Sequence, residues 1–138
     1  MLFRSHVRLN QLNFKMFKQA FKSIGHAFDG IVDLIKQENN AKIHLISTIL
    51  VIFVGIKLDF IALEWVWISL AIAGVWVMEL INTAIERITD LVSPGENPMA
   101  KKIKDYAAGA VLVMAIWAVF IFALIAVPHL WVWLTFSR

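Results

Sequence analysis

Three long apolar runs alternate with short polar stretches along the chain, and ahead of them lies a segment that mixes the two at helical spacing. In that leading segment Phe14, Phe17, Phe21, Ile24, Phe28, Ile31, Val32 and Ile35 share a face roughly 100° wide at about 100° per residue. Lys15, Lys18, Lys22, His26, Asp29, Asp33 and Lys36 take the other side. The pattern predicts an N-terminal amphipathic helix over residues 14–36, and a basic, Phe-rich helix in so apolar a chain is expected to lie in a membrane interface. Gly25 and Gly30 are its expected weak points. Residues 1–13 mix Arg4, His6, Arg8, Asn10, Gln11 and Asn13 with scattered apolar positions and lack the apolar core and cleavage site of a signal peptide. A flexible, uncleaved N-terminus is expected there.

Residues 37–138 then read as one three-helix transmembrane domain. Glu38-Asn39-Asn40-Ala41-Lys42 is a polar junction, and the first span follows over 41–56. It falls short of the ~20 residues of a spanning helix, so it must recruit its polar flanks or bend. Lys57 and Asp59 mark a tight turn. The second run starts at Phe60, is interrupted by Glu64, and carries Trp65 and Trp67 where an interfacial belt would sit. Its helix is predicted over 60–92 and ends at the breaker cluster Ser93-Pro94-Gly95-Glu96-Asn97-Pro98. The third helix opens with Lys101, Lys102 and Lys104, spans 101–127, and gives way to an aromatic terminus with Pro128, Trp131, Trp133 and Phe136.

Composition confirms the class: 60% of the residues are hydrophobic, the mark of an all-α integral membrane protein given the helical patterning. With no cysteine, disulfides and thiolate metal sites are excluded. The net charge of +3 is strung along membrane-flanking segments, which favours anionic headgroups over nucleic acid. Eleven of the thirteen Lys and Arg residues fall in 1–42 and 87–104, so the positive-inside rule makes that side, with the N-terminus, cytoplasmic.

That same side carries the candidate chemistry. Glu79, Asn82, Glu86 and Asp90 fall within roughly 80° of one helical face. Carboxylates beside lipid are costly unless paired, so the stripe implies cations. Carboxylates with an Asn and nearby Lys residues suit Mg²⁺ carried on phosphates, and phosphoryl transfer needs little more than metal, a phosphate-binding cation and a base. The sequence has no P-loop and no kinase-type Gly-rich loop.

Four blocks in order resemble the prokaryotic diacylglycerol kinase family, which includes undecaprenol kinases. They are Glu38-Asn39-Asn40 with Ile43-His44-Leu45; Glu79 to Glu86 (E-L-I-N-T-A-I-E); Asp90-Leu91-Val92-Ser93-Pro94; and Lys104 to Val111 (K-D-Y-A-A-G-A-V). Ala41-Lys42 departs from the pattern, standing where many members have an aromatic residue followed by Arg. The resemblance implies a lipid kinase with three spanning helices and a surface helix, working as a homotrimer with shared active sites in the inner membrane. It makes Glu79 the catalytic base, Glu38 and Glu86 Mg²⁺ ligands, and Asn82 a neighbour of metal and phosphates. Lys104 becomes an ATP phosphate ligand, and Asp90 and Asp105 line the nucleotide site.

Plainer readings exist. Glu86, Arg87 and Asp90 would also suit a solvated helix end, and the Lys101 to Lys104 cluster a topology signal. His44 is expected to be an interfacial hydrogen-bonder rather than a ligand, and Asp59 and Glu64 outer-loop charges without a role. Two other functions compete: a small oligomeric transporter using an intramembrane carboxylate, and a non-catalytic adaptor whose surface helix docks a partner.

Overall fold

The computed structural model describes residues 2–136, with side chains for residues 15–135. All regular elements among them are helical: α1 (Leu2–Gln37), α2 (Asn39–Lys57), α3 (Ala62–Val92) and α4 (Pro98–Phe136). Residues up to Gln37 form one compact unit, and those from Glu38 onward a second. Helices α2, α3 and α4 are each long and apolar enough to cross a membrane.

Helix α1 begins well before Phe14 and runs unbroken through Gly25 and Gly30. A glycine costs a helix only about 1 kcal/mol relative to alanine, and no proline interrupts the stretch. Phe17, Phe21, Ile24 and Phe28 are all more than half exposed along one side of it.

Glu38 has extended backbone angles (φ −97°, ψ 125°), so the break between α1 and α2 falls at that residue. Helix α2 ends in a Schellman turn. The Phe60 N–H donates to the Gly55 carbonyl at 3.0 Å and Asp59 N–H to the Ile56 carbonyl at 3.4 Å, while Asp59 takes the left-handed conformation (φ 54°). Two otherwise orphaned carbonyls are satisfied this way. Phe60 and Trp65 fold back over Gly55 so closely that a methyl group there would come within 2.7 Å of the indole ring.

Helix α3 packs antiparallel to α4 along a continuous stripe. Ile68, Ala71 and Val75 on α3 meet a face of α4 that includes Ala107, Val111, Ile121 and Ala126, all buried. Between apolar helices in lipid the attraction comes from close van der Waals contact rather than from water release, and alanines let the backbones approach. The densest cluster lies at the turn end, around Phe60, Ile68 and Ile121. There Glu64, expected to be an idle loop charge, binds three ways: its Oε2 accepts the Ile61 N–H at 2.8 Å, and both carboxylate oxygens lie 2.9 and 3.1 Å from His129 Nε2. It thus caps α3 and ties its start to α4. Phe60 stacks obliquely on the His129 ring at 5.2 Å.

Helix α4 carries Pro128 within it and continues to Phe136, past the expected end at residue 127. Proline removes one backbone hydrogen bond, a loss that spanning helices tolerate where neighbouring helices or a local adjustment of the turn re-satisfy the freed carbonyl.

Candidate active site

The buried stripe of α3 changes character along its length. Ile68, Ala71 and Val75 are apolar, but the next positions on the same face, Glu79 and Asn82, are polar and buried. The helical repeat that packs α3 against its neighbours therefore carries a carboxylate and an amide inward. At ~1.5 Å per residue, Glu79 stands roughly 22 Å along α3 from Glu64.

Glu79 is only 2% exposed, and its Oε2 has no hydrogen-bond partner. His44 Nε2 on α2 lies 3.7 Å from that oxygen. Asn82 donates its Nδ2 to Glu86 Oε1 at 3.0 Å, which orients the amide and leaves its Oδ1 buried and unpartnered. Glu86 lines the same cleft as Glu79, whereas Glu38 does not. Buried polar atoms are nearly always satisfied, so two orphaned acceptors beside a carboxylate mark a place built to receive something.

They line a cleft of about 250 Å³ whose polar wall is Asn40, His44, Glu79, Asn82 and Glu86. Small or apolar side chains of α4, among them Ala108 and Ala115, form the opposite wall. A second, almost wholly apolar groove of about 290 Å³ shares Ile43, His44 and Ala115 with the cleft and runs on between Val51, Ile72 and Phe122. Polar cleft and apolar groove meet at His44.

Farther along α3, Asp90 binds Lys104 of α4 through a close charge-assisted hydrogen bond. Neither residue lines the cleft, and Asp105 is exposed near Lys104 in sequence. The expected site residues thus fall into two groups. Glu79, Asn82 and Glu86 line the cleft, Glu38 at the start of α2 does not, and Asp90 and Lys104 form a separate pair toward the end of α3. Among the described residues no three His, Cys, Asp or Glu side chains converge as a metal cage. His44 is the residue whose place the sequence did not disclose. The sequence marks it as an interfacial hydrogen-bonder without naming its partner.

A family model described as prokaryotic diacylglycerol kinase matches residues 25–126, a stretch containing every one of these side chains. The chain belongs to the prokaryotic diacylglycerol kinase family. Undecaprenol kinase of Bacillus subtilis (strain 168) is 39% identical over 121 residues, covering 88% of this chain and 94% of that protein. Diacylglycerol kinase of Helicobacter pylori (strain J99) is 33% identical over 107 residues, 78% of this chain and 84% of its own. Diacylglycerol kinase of Synechocystis sp. (strain PCC 6803) is 34% identical over 109 residues, 78% of this chain, which spans 62% of that longer protein. Membership in this family makes the chain a kinase.

Proposed function

We propose that this protein transfers the γ-phosphate of ATP to the primary hydroxyl of a membrane lipid alcohol, diacylglycerol or undecaprenol, yielding phosphatidic acid or undecaprenyl phosphate. The observation that carries the reading is Glu79: a buried carboxylate with an unpartnered oxygen, where a polar cleft meets an apolar groove, in a chain of this family. A lipid hydroxyl reaching the cleft from the apolar side meets Glu79 before any other carboxylate. Glu79 takes the hydroxyl proton as the alcohol oxygen bonds to the γ-phosphorus and the bond to the ADP oxygen breaks.

Mg²⁺, when bound with ATP, would neutralise phosphate charge. The donor set fits such an ion: the unpartnered Asn82 Oδ1 and the Glu86 carboxylate line one wall, and Mg²⁺ takes one or two carboxylates while keeping waters and phosphates. Glu38 and Glu86 would hold it. Lys104 would exchange its Asp90 partner for an ATP phosphate, with Asp90 and Asp105 flanking the nucleotide. The homotrimer with shared sites remains part of the proposal: many large apolar side chains of α2, α3 and α4 face outward and suit both lipid and neighbouring subunits.

In this reading the Glu79 end, with the N-terminus, would face the cytoplasm across the inner membrane, which the excess of Lys and Arg in 1–42 and 87–104 supports. Helix α1, with Lys15, Lys18 and Lys22 opposite exposed phenylalanines, would lie in that interface. A proton-coupled transporter wants its carboxylate near the midplane, whereas Glu79 closes the apolar stretch of α3. An adaptor would leave the orphaned acceptors without purpose.

Radiolabelled phosphate transfer from ATP to each lipid in detergent micelles tests the reading. Glu79→Gln keeps the side chain's shape and should lower kcat by about 100-fold or more with lipid KM little changed. Full activity in that variant would remove Glu79 from the chemistry. Competition between the two lipids, read as kcat/KM, assigns the substrate.

A further inference from the structure

Helix α2 meets α3 through two side-chain pairs one turn apart. His44 faces Glu79 at 3.7 Å, and four residues on, Thr48 Oγ1 accepts the Trp76 indole N–H at 3.2 Å. Thr48 also donates its hydroxyl proton to the His44 carbonyl at 2.7 Å. The three contacts form one chain, Trp76 to Thr48 to the His44 backbone, with the His44 ring next in line and the Glu79 carboxylate beyond it. On antiparallel helices, positions 44 and 48 match 79 and 76, so the Thr48 and Trp76 link sets which turn of α2 lies opposite Glu79.

From this geometry we infer that His44 is a positioning residue for Glu79, holding its carboxylate for the lipid hydroxyl, and that Thr48 and Trp76 hold His44 in register. The inference rests on the kinase reading above. A buried carboxylate with one free oxygen can rotate about its terminal bond, and a base that rotates loses the hydroxyl. An Nε2–H from His44 directed at Oε2 fixes the rotation of the carboxylate and leaves the second lone pair of that unpartnered oxygen for the hydroxyl. At 3.7 Å the contact is longer than a hydrogen bond, and hydrogen bonds at catalytic groups characteristically tighten when substrate arrives. His44 is well placed for this because it borders both the cleft and the apolar groove, and so stands beside a lipid headgroup entering from either. Neither His44 nor Thr48 belongs to the carboxylates or lysine that would hold metal and nucleotide.

The test compares His44→Leu, which removes the donor, with His44→Gln, whose amide N–H reaches about as far as Nε2. Purified full-length protein in lipid–detergent micelles is assayed with ATP and Mg²⁺ on both lipids, and folding is checked by thermal unfolding of each variant. The expected result is a fall of about tenfold or more in kcat for the Leu variant, with KM for ATP within about twofold, since a small misplacement of a reacting group is costly in rate. The Gln variant should stay within about threefold of wild type. Thr48→Val should lower kcat severalfold in the wild-type background and have no further effect beside His44→Leu. If wild type phosphorylates lipid but His44→Leu does so equally well, or Gln falls as far as Leu, the positioning role is overturned. Equal effects of Thr48→Val in both backgrounds would overturn the register role. A wild-type protein inactive on both lipids would instead overturn the kinase reading itself.

Discussion

Two glycines in the spanning helices look alike in sequence and differ in what surrounds them. A methyl group at Gly55 would stand 2.7 and 2.9 Å from two indole carbons of Trp65 and 2.9 Å from Phe60 Cδ2. These rings are held: Phe60 is buried, packs obliquely against Trp65 at 5.9 Å, and lies on His129. Relieving the overlap means moving both rings and the turn they close, an overpacking cost near the upper part of about 1–3 kcal/mol. Alanine returns up to about 1 kcal/mol through helix propensity, so Gly55→Ala should destabilise by about 2 kcal/mol. At Gly74 the nominal clash is worse, 2.2 Å, but the atom is Met114 Cε, the end of a flexible thioether. That methyl swings aside at little cost, so Gly74→Ala should be near neutral or slightly stabilising. Equilibrium unfolding in mixed detergent micelles measures both. The reasoning is refuted if Gly55→Ala is as stable as wild type, or if Gly74→Ala is the more damaging of the two.

Lys104→Met removes the cation proposed to bind ATP phosphates; losing one charge-assisted hydrogen bond of about 1.5 kcal/mol should raise the ATP KM by about tenfold. A titration of ATP at saturating lipid reads this, and an unchanged KM would take Lys104 out of the nucleotide site. His129→Leu breaks the tie from α4 to Glu64 and should lower the midpoint of thermal unfolding while leaving kcat intact. Glu64→Gln, which can still accept the Ile61 N–H, should be milder; the reverse order would show that the Glu64 charge matters more than the link to His129.

The acidic stripe was legible because helical phase is a local property: Glu79, Asn82 and Glu86 share a face whichever way the helix packs. That the face would be the buried one could also be anticipated, since it continues Ile68, Ala71 and Val75. The partners of the stripe could not. His44 and Glu79 are separated by a whole hairpin, and which turn of α2 meets which turn of α3 depends on the Schellman turn at Asp59 and on the Trp76 to Thr48 hydrogen bond. Glu64 read as a loose outer charge because His129, its partner, lies 65 positions away on another helix. At Gly25, Gly30 and Pro128 a weak local breaker is outweighed by continuous helical surroundings, so α1 and α4 run through all three.

The amino-acid sequence by itself determined the apolar spans, the asymmetry of charge and the phase of the carboxylates, because hydropathy and helical periodicity act over neighbouring residues. Tertiary structure decided that Lys104 pairs with Asp90, that Glu79 lies under His44, and that the polar cleft opens into an apolar groove. Those facts follow from the register between packed helices. Register is set by small numbers of interlocking contacts, such as Gly55 beneath Phe60 and Trp65, that no single stretch of chain contains.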